Sequence, residues 1–103
     1  MAYLLRFVQR FETRHQQEFL DLEGRFAELE RDEPGLPNGR RYLASFGREP
    51  QNTLVWECEF ASLSLALDGA AALAAHPRHD ELFALQARYI TESYTEVYEA
   101  FDS

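Results

Sequence analysis

The stretch from Thr53 to His79 constrains the fold more than any other. Thr53 to Phe60 alternates cleanly, with Leu54, Trp56, Cys58 and Phe60 pointing one way and Thr53, Val55, Glu57 and Glu59 the other. That is a strand with one apolar face. Ser62 then stands where a helix cap belongs, and Leu63 to Ala75 is apolar on nearly every side except at Ser64 and Asp68. A helix of that kind has to be buried on most of its surface, so the strand must belong to a sheet that the helix covers. His76-Pro77 ends the helix, and Arg78-His79 completes a short polar junction.

The remaining segments supply that sheet. Tyr3 to Phe11 reads as a strand that presents Tyr3, Leu5, Phe7, Gln9 and Phe11 on one face and Leu4, Arg6, Val8 and Arg10 on the other. Thr13 to Arg31 reads as a helix because Phe19, Leu22, Phe26 and Leu29 recur at steps of three and four. Thr13 and Gln16 have the spacing of a capping box, while Glu18, Asp21, Glu23, Arg25 and Glu28 are expected on the solvated side, with His15 at the surface. Residues 32–39 are dense in Pro, Gly and Asn and form a loop. Arg40 to Phe46 has strand character, with Tyr42, Ala44 and Phe46 on one face and Arg41, Leu43 and Ser45 on the other. After Thr53–Ala75, Asp80 to Ile90 is expected to be helical and Tyr94 to Phe101 to be the last strand.

The order strand, helix, strand, strand, helix, strand describes an α+β, ferredoxin-like βαββαβ fold in a single domain over residues 1–103. Its four-stranded antiparallel sheet carries both helices on one face. The other face, with Leu4, Val8, Leu43, Val55 and Val97 among Arg6, Arg10, Arg41, Glu57, Glu59 and Glu99, is too apolar for open water and too charged for a core. It is expected to meet the same face of a second copy, with Arg6 or Arg41 paired to Glu57 or Glu59, since buried charges need partners.

Composition narrows the function classes. The net charge of −8 speaks against a nucleic-acid backbone or an anionic membrane as partner, and no apolar run approaches a membrane span of roughly 20 residues. All ten cations are Arg, so lysine-dependent Schiff-base, pyridoxal-phosphate and P-loop chemistry is excluded. The single Cys58 forms no internal disulfide, and the N-terminal residues lack the pattern of a signal peptide, which together indicate a cytoplasmic protein. No residue pattern calls for a cofactor or a resident metal.

Three segments carry a family resemblance: Tyr3-Leu4-Leu5-Arg6-Phe7, the run from Gly47 through Asn52-Thr53-Leu54-Val55-Trp56-Glu57-Cys58-Glu59-Phe60-Ala61-Ser62, and the helix end Leu73-Ala74-Ala75-His76-Pro77. Together the chain resembles the NIPSNAP-like family of the dimeric α+β barrel superfamily, which also holds the antibiotic-biosynthesis monooxygenases. The resemblance implies a homodimeric barrel with a pocket between sheet and helices. For the monooxygenase relatives it also implies cofactor-free oxidation of aromatic substrates by oriented polar groups.

On these elements the candidate pocket residues are Tyr42, Trp56, His76 and His79. Each has a structural alternative. Trp56 and Tyr42 lie in apolar rows where an aromatic normally packs. His76 and His79 are three apart across a Pro, with no third metal ligand at motif spacing, and a helix-terminal His is commonly held by the macrodipole. Glu57 and Glu59 share a strand face and are better placed as ion-pair partners than as an acid/base pair. Two functions therefore stand: a protein binding a hydrophobic or aromatic small molecule between sheet and helices, and a cofactor-independent monooxygenase acting on an aromatic one. A His and a Tyr facing one cavity would favour the second.

Overall fold

The computed structural model describes residues 2–101. Its elements are β1 (Tyr3–Phe11), α1 (Gln16–Asp32), β2 (Arg40–Leu43), β3 (Thr53–Phe60), α2 (Leu63–Ala75), α3 (Pro77–Gln86) and β4 (Ile90–Glu99). The strands form one antiparallel sheet in the order β2-β3-β1-β4. This is the ferredoxin-like α+β arrangement, with α2 against β1 and β3 and α1 against α3.

Local chemistry sets the helix ends, and it departs from expectation at two of them. The capping box does not form: Thr13 begins a short 3-10 turn, and α1 starts at Gln16 without a side-chain cap. Ser62 caps α2 as expected, its Oγ accepting from Leu65 N at 3.1 Å. His76 closes α2 and also opens α3: its Nδ1 accepts from Arg78 N at 3.2 Å, with Pro77 in the first turn. The strands also shift. β2 stops at Leu43, and β4 begins at Ile90, because the helical segment is displaced towards Pro77 and ends in a 3-10 turn over Ala87–Tyr89.

Register decides which side chains meet the helices. Leu5 pairs with Cys58 and Val97, and Phe7 with Trp56 and Thr95, so these residues face inward. Leu5, Trp56, Ala66 and Leu73 form one buried cluster, joined by Phe7, Leu36, Cys58, Phe60 and Val97. Phe11, Phe19 and Leu54 form a second, joined by Leu20, Tyr89 and Ile90. Val97 and Glu99 therefore belong to the helix side, contrary to expectation, and Tyr94, Glu96 and Tyr98 take the open face opposite Val8, Arg6 and Leu4.

The same reversal occurs in β2. Arg41 is opposite Trp56 and faces the helices, whereas Tyr42 is opposite Val55 on the open face. Apolarity alone would have turned Tyr42 inward; Arg41 takes that place because buried carboxylates wait for it there.

The open face is partly closed by the chain itself. The β2–β3 connection is fastened at Glu49, which accepts from Tyr94 Oη at 2.7 Å and lies 3.8 Å from Arg10 Nη2. Val8 and Val55 are buried on this side, yet Tyr42, Tyr98 and Phe46 remain exposed.

Candidate functional site

Two turns of α1 place Glu23 and Glu30 on one line, seven residues apart, within the stripe that also holds Phe19 and Phe26. All four are buried. Glu23 is thus not on the solvated side expected of it. Arg41 enters from β2 between the two carboxylates: Nε donates to Glu23 Oε2 and Nη2 to Glu30 Oε2, both at 2.6 Å, and Nη1 donates to Glu30 Oε1 at 3.2 Å. Burial works against the Arg41 charge, and Glu30 and Glu23 more than offset it, so its pKa is raised.

Three further donors complete the group. Trp56 Nε1 and the Gly39 backbone N–H each donate to Glu30 Oε1 at 3.1 Å, and Gln86 Nε2 donates to Glu23 Oε1 at 2.8 Å and to the Phe19 carbonyl at 3.4 Å. The hydrogen-bonded chain Trp56–Glu30–Arg41–Glu23–Gln86–Phe19 runs from one apolar cluster to the other. Gly39 is required for it. A Cβ at that position would overlap the Trp56 indole, which lies flat against Phe7 with ring centroids 4.7 Å apart.

This polar chain forms one wall of a cavity of about 350 Å³ between sheet and helices. The other walls come from Phe7, Gln9, Trp56, Ser93 and Thr95 of the sheet and Phe26, Ala70, Leu73, Ala74, His79 and Phe83 of the helices. The lining is mostly apolar, with the charged groups on one wall and Gln9, Ser93, Thr95 and His79 among the others.

The expected site residues are divided between the two sides of the sheet. Trp56 and His79 line the cavity. His76 does not: its Nδ1 is committed to the helix cap and its Nε2 lies 3.9 Å from Glu33. Tyr42 faces away, and Tyr94, which borders the cavity from β4, has its side chain on the open face, where its hydroxyl donates to Glu49. Among the described residues the cavity therefore has a histidine, and no tyrosine hydroxyl enters it. Arg6 lies on the open face between its cross-strand neighbours Glu57 (2.8 Å) and Glu96 (3.2 Å), with its guanidinium 5.5 Å from the Tyr98 ring centroid. The Arg6–Glu57 pair is made within one chain. Glu59 is exposed, and Arg41 is absent from this face. Glu23, Glu30 and Gln86 were not foreseen, although the spacing 19, 23, 26, 30 on α1 was a sign that two carboxylates share the apolar stripe.

His79 packs against Phe26, with ring centroids 4.8 Å apart. Burial lowers its pKa from the ordinary 6.5, against the opposing pull of Glu30. The folded protein thus binds this proton less readily than the unfolded chain, and stability is full above the unfolded pKa and declines as pH falls through the His79 value. Urea unfolding at pH 7 and pH 5 should show a loss at the lower pH that His79→Leu reduces. An equal loss in the variant would place the sensitivity elsewhere. Cys58 is a poor nucleophile, because burial pushes its thiol pKa up.

No family model matches the chain, and no curated protein matches it in sequence. Solved structures do match in shape. A NIPSNAP family protein from Agrobacterium tumefaciens aligns with a TM-score of 0.79 at 17% identity over 98% of this chain and 87% of its own. A putative antibiotic biosynthesis monooxygenase from Nitrosomonas europaea gives 0.75 at 14%, over 97% and 90%. SnoaB, a cofactor-independent oxygenase from Streptomyces nogalater, gives 0.66 at 16%, over 99% and 95%. The chain thus has the ferredoxin-like α+β fold, with NIPSNAP family proteins and antibiotic biosynthesis monooxygenases among its structural neighbours.

Proposed function

We propose that this chain is a binding protein whose ligand, a hydrophobic or aromatic small molecule, occupies the cavity between sheet and helices. One observation carries the reading: a cavity of about 350 Å³ with a mostly apolar lining and polar groups set into it, within the range of about 300–1,000 Å³ that small-molecule sites occupy. Trp56 is the only Trp, and it lines the cavity, so its fluorescence reports occupancy. Titration with 2-naphthol should change that signal saturably. Ala70→Phe, which fills the cavity from α2, should weaken binding about tenfold or more. An unchanged affinity in Ala70→Phe would move the ligand elsewhere.

The assembly that fits this reading is a homodimer through the open sheet face. Exposed Tyr42, Phe46 and Tyr98 surround the Arg6 ion pairs there, and an apolar patch rimmed by charge is a common interface. Light scattering that returns a monomer at micromolar concentration would remove the dimer.

A second reading, a cofactor-independent monooxygenase on an aromatic substrate, is favoured by His79, which lines the cavity and is kept neutral by burial, the form that accepts a proton. Oxygen uptake with a phenolic substrate, lost in His79→Ala, would select it.

A further inference from the structure

The polar wall of the cavity has a composition that restricts what can sit against it. Two carboxylates share one guanidinium, which leaves one formal negative charge in excess. Most donors on that wall are engaged: Arg41 Nε, Nη1 and one N–H of Nη2 with Glu23, Glu30 and the Gly39 carbonyl, the Trp56 N–H with Glu30, and the Gln86 amide N–H with Glu23 and the Phe19 carbonyl.

Acceptors remain. Gln86 is 1% exposed, and with its amide nitrogen turned to Glu23 its carbonyl Oε1 is left without a hydrogen bond among the described residues. Each Glu23 oxygen accepts a single bond and has a further lone pair. His79 adds no positive charge, since burial favours its neutral form. A ligand carboxylate placed there would bring a third negative charge beside Glu23 and Glu30, whereas the cavity's other donors, on Gln9, Ser93 and Thr95, belong to the sheet side; burying it unpaired against the carboxylates is costly.

We propose that the cavity selects an arylalkyl amine, whose ammonium group is held by Glu23 and Gln86 while its ring lies among Phe7, Phe26 and Phe83. An ammonium supplies only donors, which the free acceptors need, and it cancels the excess charge. The proposal rests on the cavity being a small-molecule site, and its test separates the two claims.

The full chain would be titrated at pH 7 with 2-phenylethylamine, 2-phenylethanol and 3-phenylpropanoate, read by Trp56 fluorescence. The amine is expected to bind about tenfold or more tighter than the alcohol, as suits a charge-assisted hydrogen bond, and the propanoate weakest of the three. Glu23→Gln removes the excess charge and should cost the amine about tenfold more than it costs the alcohol. Should that variant fail to fold, the ranking of the three probes on the unaltered protein decides alone. Alcohol or propanoate binding as tightly as the amine overturns the amine selection and leaves the cavity reading standing. Failure of all three at millimolar concentration overturns the cavity reading and the proposal together.

Discussion

Arg41→Leu is expected to destabilise the protein by about 3–5 kcal/mol, because it strands two buried carboxylates without their cation. Glu23 and Glu30 are 7% and 3% exposed, so water cannot take the place of the guanidinium. For a domain of this size the loss corresponds to a fall in Tm on the order of 20 °C, a large part of the stability such proteins have. The neighbouring Arg40→Leu is the control. Arg40 is exposed, and a change there should stay within about 0.5 kcal/mol. The asymmetry of buried ion pairs adds a second arm: replacing Glu23, Glu30 and Arg41 together by apolar residues should recover much of what Arg41→Leu loses. Equal melting of Arg41→Leu and Arg40→Leu would show that the network does not hold β2 against α1.

The position of Arg41 also marks where sequence reading fails. The alternation of β3 and the apolar run of α2 are dictated by burial on one side or on most sides, and a reader of residues can recover both. The faces of β2 and β4 are different. Both strands carry aromatic residues opposite charged or small ones, and the rule that aromatics turn inward assigns Tyr42 and Tyr98 to the core. Register with β1 and β3 does the reverse, because Arg41 has buried partners on α1 and Tyr98 can lie beside Arg6 on the open face. Pairing of this kind depends on residues 11 and 18 positions away in sequence, which no local pattern reports.

The lining of the candidate site was half legible for the same reason. Trp56 belongs to the cleanest strand and is recovered, and His79 follows from the helix break at Pro77. Glu23 and Glu30 look like surface residues in a chain with 18 acidic side chains, and only their coincidence with Phe19 and Phe26 on one stripe sets them apart. Gln86 has no signal of its own. It is buried because α3 packs on α1 and its amide meets Glu23, a contact between residues 63 positions apart. Polar groups that are satisfied only by tertiary structure are visible only in it.

Trp56→Ala should cost about 3–5 kcal/mol, the ordinary range for deleting a buried aromatic. The indole is 3% exposed, stacks on Phe7 and donates to Glu30, so the deletion opens the core cluster and removes a charge-assisted hydrogen bond. Trp56→Phe separates these effects. It keeps the stack and loses the N–H, and since Glu30 Oε1 still accepts from Gly39 and Arg41, the cost should be smaller, about 1.5–3 kcal/mol. Gly39 then tests the geometry. Gly39→Ala in the unaltered protein pushes a methyl group into the indole and should destabilise by about 1–3 kcal/mol through overpacking. In a Trp56→Ala background the same methyl has room, and the penalty should vanish. Urea unfolding of the two single variants and the double variant gives the coupling, expected at about 1–3 kcal/mol in favour of the double. Additive losses would mean that Gly39 is needed for its backbone alone, and that the Trp56 ring does not rest on the loop before β2.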